Sequence, residues 1–250
     1  MNVVGQDVEI DVDGSAMAAY TARPADARLR PAVLVCSELW GLTDDVRALV
    51  RDVAALGYVA VAPDLYHRLD ADTARGFTET DANRTRAFEL VAQLTREGVE
   101  QDLRASLDHA HARADAAGKP GILGMSLGGH LAFYAASRLD LAAAAIYYPG
   151  WLPVAGTALS RPEPLLTVAP AIAQREVRLE LFFAELDHVI DAEQRDAIAA
   201  GLTAAGVRHE ITVYEGAAHA FFFPGREPYH KASADDSWQR VAGLFTSELG

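Results

Sequence analysis

The stretch GMSLGG contains the residues of this sequence that are best spaced for chemistry. Gly124, Ser126 and Gly128 form a G-x-S-x-G pattern between the apolar run GILGM and the helical pattern LGGHLAFYAAS. A serine at a sharp strand-to-helix turn is presented as a nucleophile, and the N–H groups that begin the helix can stabilise an oxyanion. The alternative interpretation is a glycine-rich turn in which the serine has no chemical role.

A serine nucleophile needs a general base and a residue that orients the base. In enzymes with this kind of turn, the partners follow in the chain order Ser, Asp or Glu, His. Asp187 follows the apolar run VRLELFFAE, and His219 follows the run HEITVYEG, so both are expected at strand ends. We therefore predict that Ser126, His219 and Asp187 form a catalytic triad.

Other acids and histidines compete for these roles, namely Glu185, Asp191, His188, His209 and His230. We expect Glu185 to belong to the preceding strand and Asp191 to cap the next helix. His209 comes before its strand, which puts it at the opposite edge of the sheet. Asp187 and His219 remain the preferred partners.

Apolar runs alternate with amphipathic stretches around these residues, as in AVLVCSE, DDVRALVRDVAALG and YVAVAPDLY. This alternation predicts an α/β fold, with a mostly parallel sheet covered by helices on both faces. The runs DVEIDV and AMAAYTA, separated by DGS, predict an antiparallel hairpin at the N-terminus. Because the sequence shows no internal repeat or linker, residues 1–250 are expected to form a single domain.

The composition excludes several classes of partner. The formal net charge is −13 and the isoelectric point is about 5.0, which argues against nucleic acid and against anionic membrane surfaces. The N-terminal residues lack the basic and apolar regions of a signal peptide, so a cytoplasmic protein is expected. The lone cysteine, Cys36, excludes an intramolecular disulfide and lies in an apolar run that predicts burial.

The chain resembles the dienelactone hydrolase family of α/β-hydrolases. The resemblance extends over nearly the full length, through CSELWGL, LGYVAVAPDLYHR, GILGMSLGGHLAFYAA, YEGAAHAFFF and DSWQRVAGLF. Membership implies an α/β-hydrolase fold without a cap domain, no metal or organic cofactor, and hydrolysis of small esters or lactones through an acyl-enzyme. The partner is then a small-molecule substrate, and we expect a monomer or a small homo-oligomer.

By the same resemblance, Ser126, Asp187 and His219 correspond to the triad of the family. The oxyanion would be bound by the backbone N–H groups of Leu39 and Leu127. Glu38 matches a glutamate that the family keeps beside its nucleophile. We interpret it as a group that holds the nucleophile in a resting orientation, the alternative being a loop acid that caps the next helix.

The sequence departs from the dienelactone-specific members at two positions. Those members carry a cysteine where this chain has Ser126, and serine depends more strongly on a general base. They also carry an arginine four residues after the histidine, a position that is Phe223 here. Three arginines are candidates to replace it: Arg226, Arg84 and Arg86.

Aromatic residues near the predicted strand ends suggest an apolar substrate pocket. The candidates for the lining are Trp40, Tyr66, Tyr148, Trp151, Phe221 and Phe222. For each of them, burial in the core is the competing interpretation.

The predicted function is therefore that of a serine hydrolase for small neutral carboxylic esters or lactones. Within enzymes, the alternative is acyl or peracid transfer on the same triad. Outside enzymes, the alternatives are a non-catalytic fold that binds a ligand and a structural or partner-binding subunit.

Overall fold

Eight strands run through the computed structural model, which describes residues 2–26, 28–113 and 116–250. They are β1 (Val3–Val12), β2 (Ser15–Pro24), β3 (Ala32–Cys36), β4 (Val59–Pro63), β5 (Gly121–Met125), β6 (Ala143–Tyr147), β7 (Arg178–Ala184) and β8 (His209–Tyr214). They form one sheet in the order β1-β2-β4-β3-β5-β6-β7-β8. β2 pairs antiparallel with β1 on one side and with β4 on the other, and the remaining neighbours pair in parallel.

Helices connect the strands within the described residues. They are α1 (Asp44–Ala55), α2 (Asp81–Val91), α3 (Arg96–His111), α4 (Leu127–Arg138), α5 (Ala169–Gln174), α6 (Ala192–Ala204) and α7 (Lys231–Glu248). In the part of the chain that the structure describes, no helix is long and apolar enough to cross a membrane.

The strands follow the hydrophobic pattern of the sequence. Every residue of β3, β4, β5 and β6 is buried, as expected for parallel strands that are covered on both faces. The hairpin turns at Asp13 and Gly14, whose positive φ angles of 53° and 84° suit the right-handed twist of the two strands. The predicted α/β fold and its N-terminal hairpin are both confirmed.

The helix starts also follow the sequence. The Thr43 side chain accepts a hydrogen bond from the backbone N–H of Val46 and caps α1. Asp191 caps α6 in the same way through Gln194. The proline-rich stretch after β6 is irregular as far as Pro164 and then forms a 3-10 helix (Leu165–Val168) and the short α5.

The carboxyl ends of the parallel strands lie at one edge of the sheet and carry the residues singled out above. Glu38 follows β3, Ser126 follows β5, and Tyr148 follows β6. Asp187 follows β7, and His219 follows β8. This edge is where α/β proteins bind ligands, because the loops that leave it converge there.

Candidate active site

Ser126 lies in a strained turn between β5 and α4. Its φ of 52° and ψ of −112° fall outside the regions that non-glycine residues normally occupy. Its backbone N–H donates to the carbonyl of Tyr147 at 3.0 Å, which ties the turn to β6. The sheet therefore holds the strained turn in place, and the Ser126 side chain does not cap the helix that it precedes.

The glycines of the motif allow close backbone contacts around this turn. A Cβ on Gly124 would lie 2.0 Å from the carbonyl oxygen of Gly128. A Cβ on Gly128 would lie 2.0 Å from the carbonyl oxygen of Cys36, at the end of β3. Neither position has room for a side chain, so the spacing of the glycines has a structural cause.

A chain of hydrogen bonds links Ser126 to two residues from distant parts of the sequence. Ser126 Oγ lies 2.9 Å from His219 Nε2, and His219 Nδ1 lies 2.8 Å from Asp187 Oδ2. The other carboxylate oxygen of Asp187 accepts hydrogen bonds from the backbone N–H groups of Val189 at 2.8 Å and Ile190 at 3.1 Å. The Asp187 side chain is fully buried, so its position is fixed on both sides.

The competing acids and histidines make other contacts. Glu185 lies one residue past the end of β7, so the expectation that it belongs to the strand is wrong; it is exposed and accepts a hydrogen bond from the backbone N–H of Gly216. His209 begins β8 at the opposite sheet edge, and His230 Nδ1 contacts the hydroxyl of Ser233. His188 is exposed at the mouth of the site, with its ring 5.7 Å from the ring of His219.

A cavity of about 760 Å³ opens over Ser126 and His219. Leu39 and Leu127, the predicted oxyanion donors, both line it. Leu127 is the first residue of α4, where backbone N–H groups have no partner within the helix. The loop that carries Leu39 is held by the Tyr66 hydroxyl, which donates to the Leu39 carbonyl at 3.0 Å.

Two of the six predicted pocket aromatics, Trp40 and Trp151, line this cavity. The other four do not, and the prediction is corrected for them. Tyr66, Tyr148 and Phe221 are buried in the core, and Phe222 packs against Trp238. Side chains at consecutive positions point in different directions where the chain leaves a strand, so proximity in sequence did not give proximity to the cavity. Tyr148 lies behind the site and packs against the His219 ring at 5.0 Å.

Several cavity residues were not predicted from the sequence. Phe88 and Glu79 come from the segment around α2, and Val189 and His188 come from the loop after β7. A signal was present for Phe88, because it lies one helical turn after Arg84 and therefore on the same face of α2. The sequence did not indicate that this face turns toward the site.

Glu38 is buried and pairs with Arg226 rather than with Ser126. Its Oε2 accepts from the Arg226 guanidinium, and the same guanidinium lies 2.7 Å from Asp45. Burial raises the pKa of Glu38, and the nearby positive charge of Arg226 opposes that rise. Glu38 does not cap α1, since Thr43 does. The resting role suggested for Glu38 remains a prediction.

The three candidate arginines differ in position. Arg226 and Arg84 line the cavity, and Arg84 lies over the Trp40 ring at 5.0 Å and pairs with Glu79. Arg86 pairs with Asp70 and is not among the residues that line the cavity. Phe223 is buried beneath the guanidinium of Arg226, whose carbon lies 4.6 Å from the ring centre.

Among the described residues, no group of three or more His, Cys, Asp and Glu side chains is arranged to hold a metal ion. Cys36 is buried behind the turn, and burial raises the pKa of its thiol to about 12. Of the described side chains that line the cavity, Ser126 is the one that has a histidine as hydrogen-bond partner.

Comparison with known proteins identifies relatives over nearly the full length of the chain. A Synechocystis protein named "Putative carboxymethylenebutenolidase" is 32% identical over 240 residues, which cover 93% of this chain and 92% of that protein. An Escherichia coli K12 protein of the same name is 32% identical over 251 residues, with 97% and 87% coverage. A crystal structure described as "Putative Dienelactone Hydrolase" from Klebsiella pneumoniae superposes with a TM-score of 0.88 at 28% identity and covers 98% of this chain and 99% of that one.

The sequence model of the Dienelactone hydrolase family matches residues 17–249. The match therefore includes Ser126, Asp187 and His219, together with the sheet edge that brings them into contact. On this sequence match and on the shared fold, the chain belongs to the dienelactone hydrolase family and is a hydrolase of the α/β-hydrolase fold.

Proposed function

We propose that this protein hydrolyses small neutral carboxylic esters or lactones through an acyl-enzyme on Ser126. The observation that carries the proposal is the hydrogen-bond chain from Ser126 Oγ through His219 to Asp187, with distances of 2.9 and 2.8 Å. These contacts are within the range needed for proton transfer. The names of the relatives support lactones as part of the substrate class.

In the first step, Ser126 Oγ attacks the ester carbonyl carbon while His219 Nε2 takes the hydroxyl proton. Asp187 accepts the N–H of His219 Nδ1, which keeps Nε2 free to act as a base. The tetrahedral intermediate carries a negative charge on the former carbonyl oxygen. We assign its stabilisation to the backbone N–H groups of Leu39 and Leu127, supported by the N-terminus of α4.

In the following steps, His219 returns the proton to the leaving alcohol oxygen, and the C–O bond breaks to leave the acyl group on Ser126. A water molecule then attacks the acyl carbon, His219 takes its proton, and the carboxylic acid is released as Ser126 recovers its hydrogen. For a lactone, the alcohol and the acid belong to the same product.

The charges around the cavity favour a neutral substrate. Arg84 pairs with Glu79, and Arg226 lies between Glu38 and Asp45, so both cations already face carboxylates. A substrate carboxylate would have to compete with these groups. Phe223 adds no charge at the position where dienelactone-specific members carry arginine.

The test is labelling of the intact protein with a fluorophosphonate, followed by mass spectrometry, together with turnover of 4-nitrophenyl acetate. We expect one label on the wild type and none on Ser126→Ala. We also expect kcat to fall by about 10³-fold or more in His219→Ala and Asp187→Asn, because the base is lost in the first and misoriented in the second.

Two matched controls address the competing residues. Glu185→Gln changes the acid two residues before Asp187, and His209→Ala removes a histidine from the opposite sheet edge. Both are expected to keep wild-type labelling and turnover. A wild type that takes no label and turns over no ester would refute the proposal and favour a ligand-binding protein.

A further inference from the structure

Two aromatic side chains form one wall of the active-site cavity. Phe88 projects from α2, and Trp151 lies in the loop that follows β6. Their ring centres are 6.3 Å apart and their planes meet at 65°, an edge-to-face arrangement. They line the same cavity as Ser126 and His219, so a molecule bound against this wall lies in the cavity that contains the nucleophile.

The fold leaves this wall partly uncovered. Phe88 is 42% exposed and lines the cavity. Apolar surface in contact with water is unfavourable, and covering an aromatic ring contributes both burial and edge-to-face contacts. A ligand with a flat apolar group would bury this exposed aromatic surface.

The backbone at Trp151 is held in an uncommon conformation. Its φ is 61°, in the left-handed region that a residue with a large side chain rarely adopts. The buried hydroxyl of Ser160 donates to the Trp151 carbonyl at 2.7 Å and also accepts from the Leu165 N–H at 3.0 Å. These contacts hold the Trp151 backbone in this conformation.

His130 joins both ends of this loop to α4. Its Nδ1 lies 2.9 Å from the carbonyl oxygen of Gly150, and its Nε2 accepts from the N–H of Leu159 at 3.2 Å. One nitrogen must donate and the other must accept, so the bridge requires a neutral ring with its hydrogen on Nδ1. The ring also packs against Trp151, with centres 6.3 Å apart.

Arginines fasten the same loop to the connection between α2 and α3. Arg161 donates to the carbonyl oxygens of Ala92 at 2.7 Å and Leu94 at 3.2 Å. Arg96 donates to the carbonyl oxygen of Leu159 at 2.8 Å. The loop with Trp151 and the helix with Phe88 are thus parts of one frame, and binding against them needs little ordering of the protein.

From these observations we propose that Phe88 and Trp151 form an aromatic subsite that takes a flat aromatic group of the substrate, and that His130 is the positioning residue of that subsite. The proposal rests on the ester hydrolase function proposed above and narrows its substrates to esters with an aromatic acyl or alcohol group. Trp151 and Phe88 touch the substrate, whereas His130 acts through the loop.

The experiment compares kcat/KM for three esters by following proton release. Ethyl acetate is the reference, ethyl phenylacetate carries the ring on the acyl side, and benzyl acetate carries it on the alcohol side. We expect the wild type to prefer at least one aromatic ester over ethyl acetate by about tenfold or more. Phe88→Ala and Trp151→Ala should each reduce that preference by about tenfold.

The role of His130 is tested by the same comparison of kcat/KM between the aromatic esters and ethyl acetate. We expect His130→Ala to lower the aromatic preference as Trp151→Ala does. His130→Gln, which keeps one donor and one acceptor, should retain most of it. Val154→Ala is the control, because Val154 is exposed on the same loop and does not line the cavity.

The outcomes separate the two proposals. If the wild type takes the fluorophosphonate label but shows no aromatic preference, the subsite is wrong and the hydrolase function stands. The subsite is also wrong if the preference survives in both Phe88→Ala and Trp151→Ala, or if Val154→Ala lowers it equally. Phe88 is on a helix surface, so folding of Phe88→Ala is not at risk. An unlabelled and inactive wild type overturns both proposals.

Discussion

At the scale of single residues, the site depends on contacts that admit only glycine. Gly124 and Gly128 each lie where a Cβ would meet a backbone oxygen at 2.0 Å, and backbone atoms have no alternative rotamer to adopt. These contacts bring β3, β5 and the start of α4 close together around Ser126. The G-x-S-x-G spacing is therefore a packing requirement as well as a chemical motif.

We predict that Gly124→Ala lowers the free energy of unfolding by at least about 3 kcal/mol, because the added methyl group displaces the turn. Fluorophosphonate labelling should be lost with it. Gly243→Ala is the matched control, since a Cβ there meets no atom within 4 Å in the interior of α7. It should raise stability by about 0.5–1 kcal/mol. Equal urea midpoints for the two variants would contradict the close approach at Gly124.

The contact between the triad residues depends on the pairing of strands that are far apart in the sequence. Asp187 and His219 are 32 positions apart, yet His219 Nδ1 lies 2.8 Å from the Asp187 carboxylate because β7 and β8 are neighbours in the sheet. Their order in the chain predicted the pairing, and the parallel register sets the distance. Glu185, a rejected candidate, lies only two residues before Asp187 and makes a different contact, with the backbone of Gly216.

At the scale of elements, the loop from Gly150 to Leu159 is attached to α4 through a single buried imidazole. Burial lowers the pKa of His130 from its ordinary value of 6.5 to about 4, with the positive charge of Arg96 acting in the same direction. The hydrogen bond to the Gly150 carbonyl opposes this effect only in part. The neutral form that the bridge requires is therefore the stable one at neutral pH.

This shift makes stability depend on pH in a defined window. Between pH 6.5 and about 4, the unfolded chain binds a proton at His130 and the folded chain does not. In this window the free energy of unfolding decreases by about 1.4 kcal/mol for each unit by which the pH falls. The decrease levels off below about pH 4. Urea unfolding at a series of pH values measures this slope in the wild type.

His130→Gln should remove that part of the slope, since glutamine does not titrate. His111→Gln serves as the control, because it makes the same change of residue type at an exposed position at the end of α3. If His130→Gln and the wild type lose stability in parallel between pH 6.5 and 4, His130 does not stabilise the loop in its neutral form.

At the scale of the whole molecule, the centre of the sheet excludes solvent from both faces. Cys36, the only cysteine of the chain, is 0% exposed at the end of β3. It lies next to β5 in the sheet and against the start of α4, so reagents reach it only when that region opens. The thiol thus reports on the opening of the core beneath the active site.

We predict that a thiol reagent modifies Cys36 at least about 10³-fold more slowly in the folded protein than in urea, as expected for a core with ordinary stability. Cys36→Ser provides the baseline, because it removes the reacting thiol. Labelling as fast in the folded protein as in the unfolded chain would contradict the buried position of β3. The single-domain organisation and the oligomeric state remain predictions.

The sequence alone determined the local features. The period of its apolar residues fixes which segments become buried strands, Asp-Gly sets the first hairpin, and Thr43 and Asp191 start their helices. The order of Ser126, Asp187 and His219 at strand ends was also readable, because parallel strands deliver their carboxyl ends to one edge. These features depend on residues close together in the chain or on a general property of parallel sheets.

Only the tertiary structure decided which side chains meet in the cavity. Tyr148 and Phe221 became core residues, while Phe88 came to the cavity wall from a helix that the sequence did not connect with the site. Arg226 turned to Glu38 and Asp45. Such contacts depend on how distant elements pack and on the direction of each side chain at a loop. The local periodicity of apolar residues determines neither the packing nor these directions.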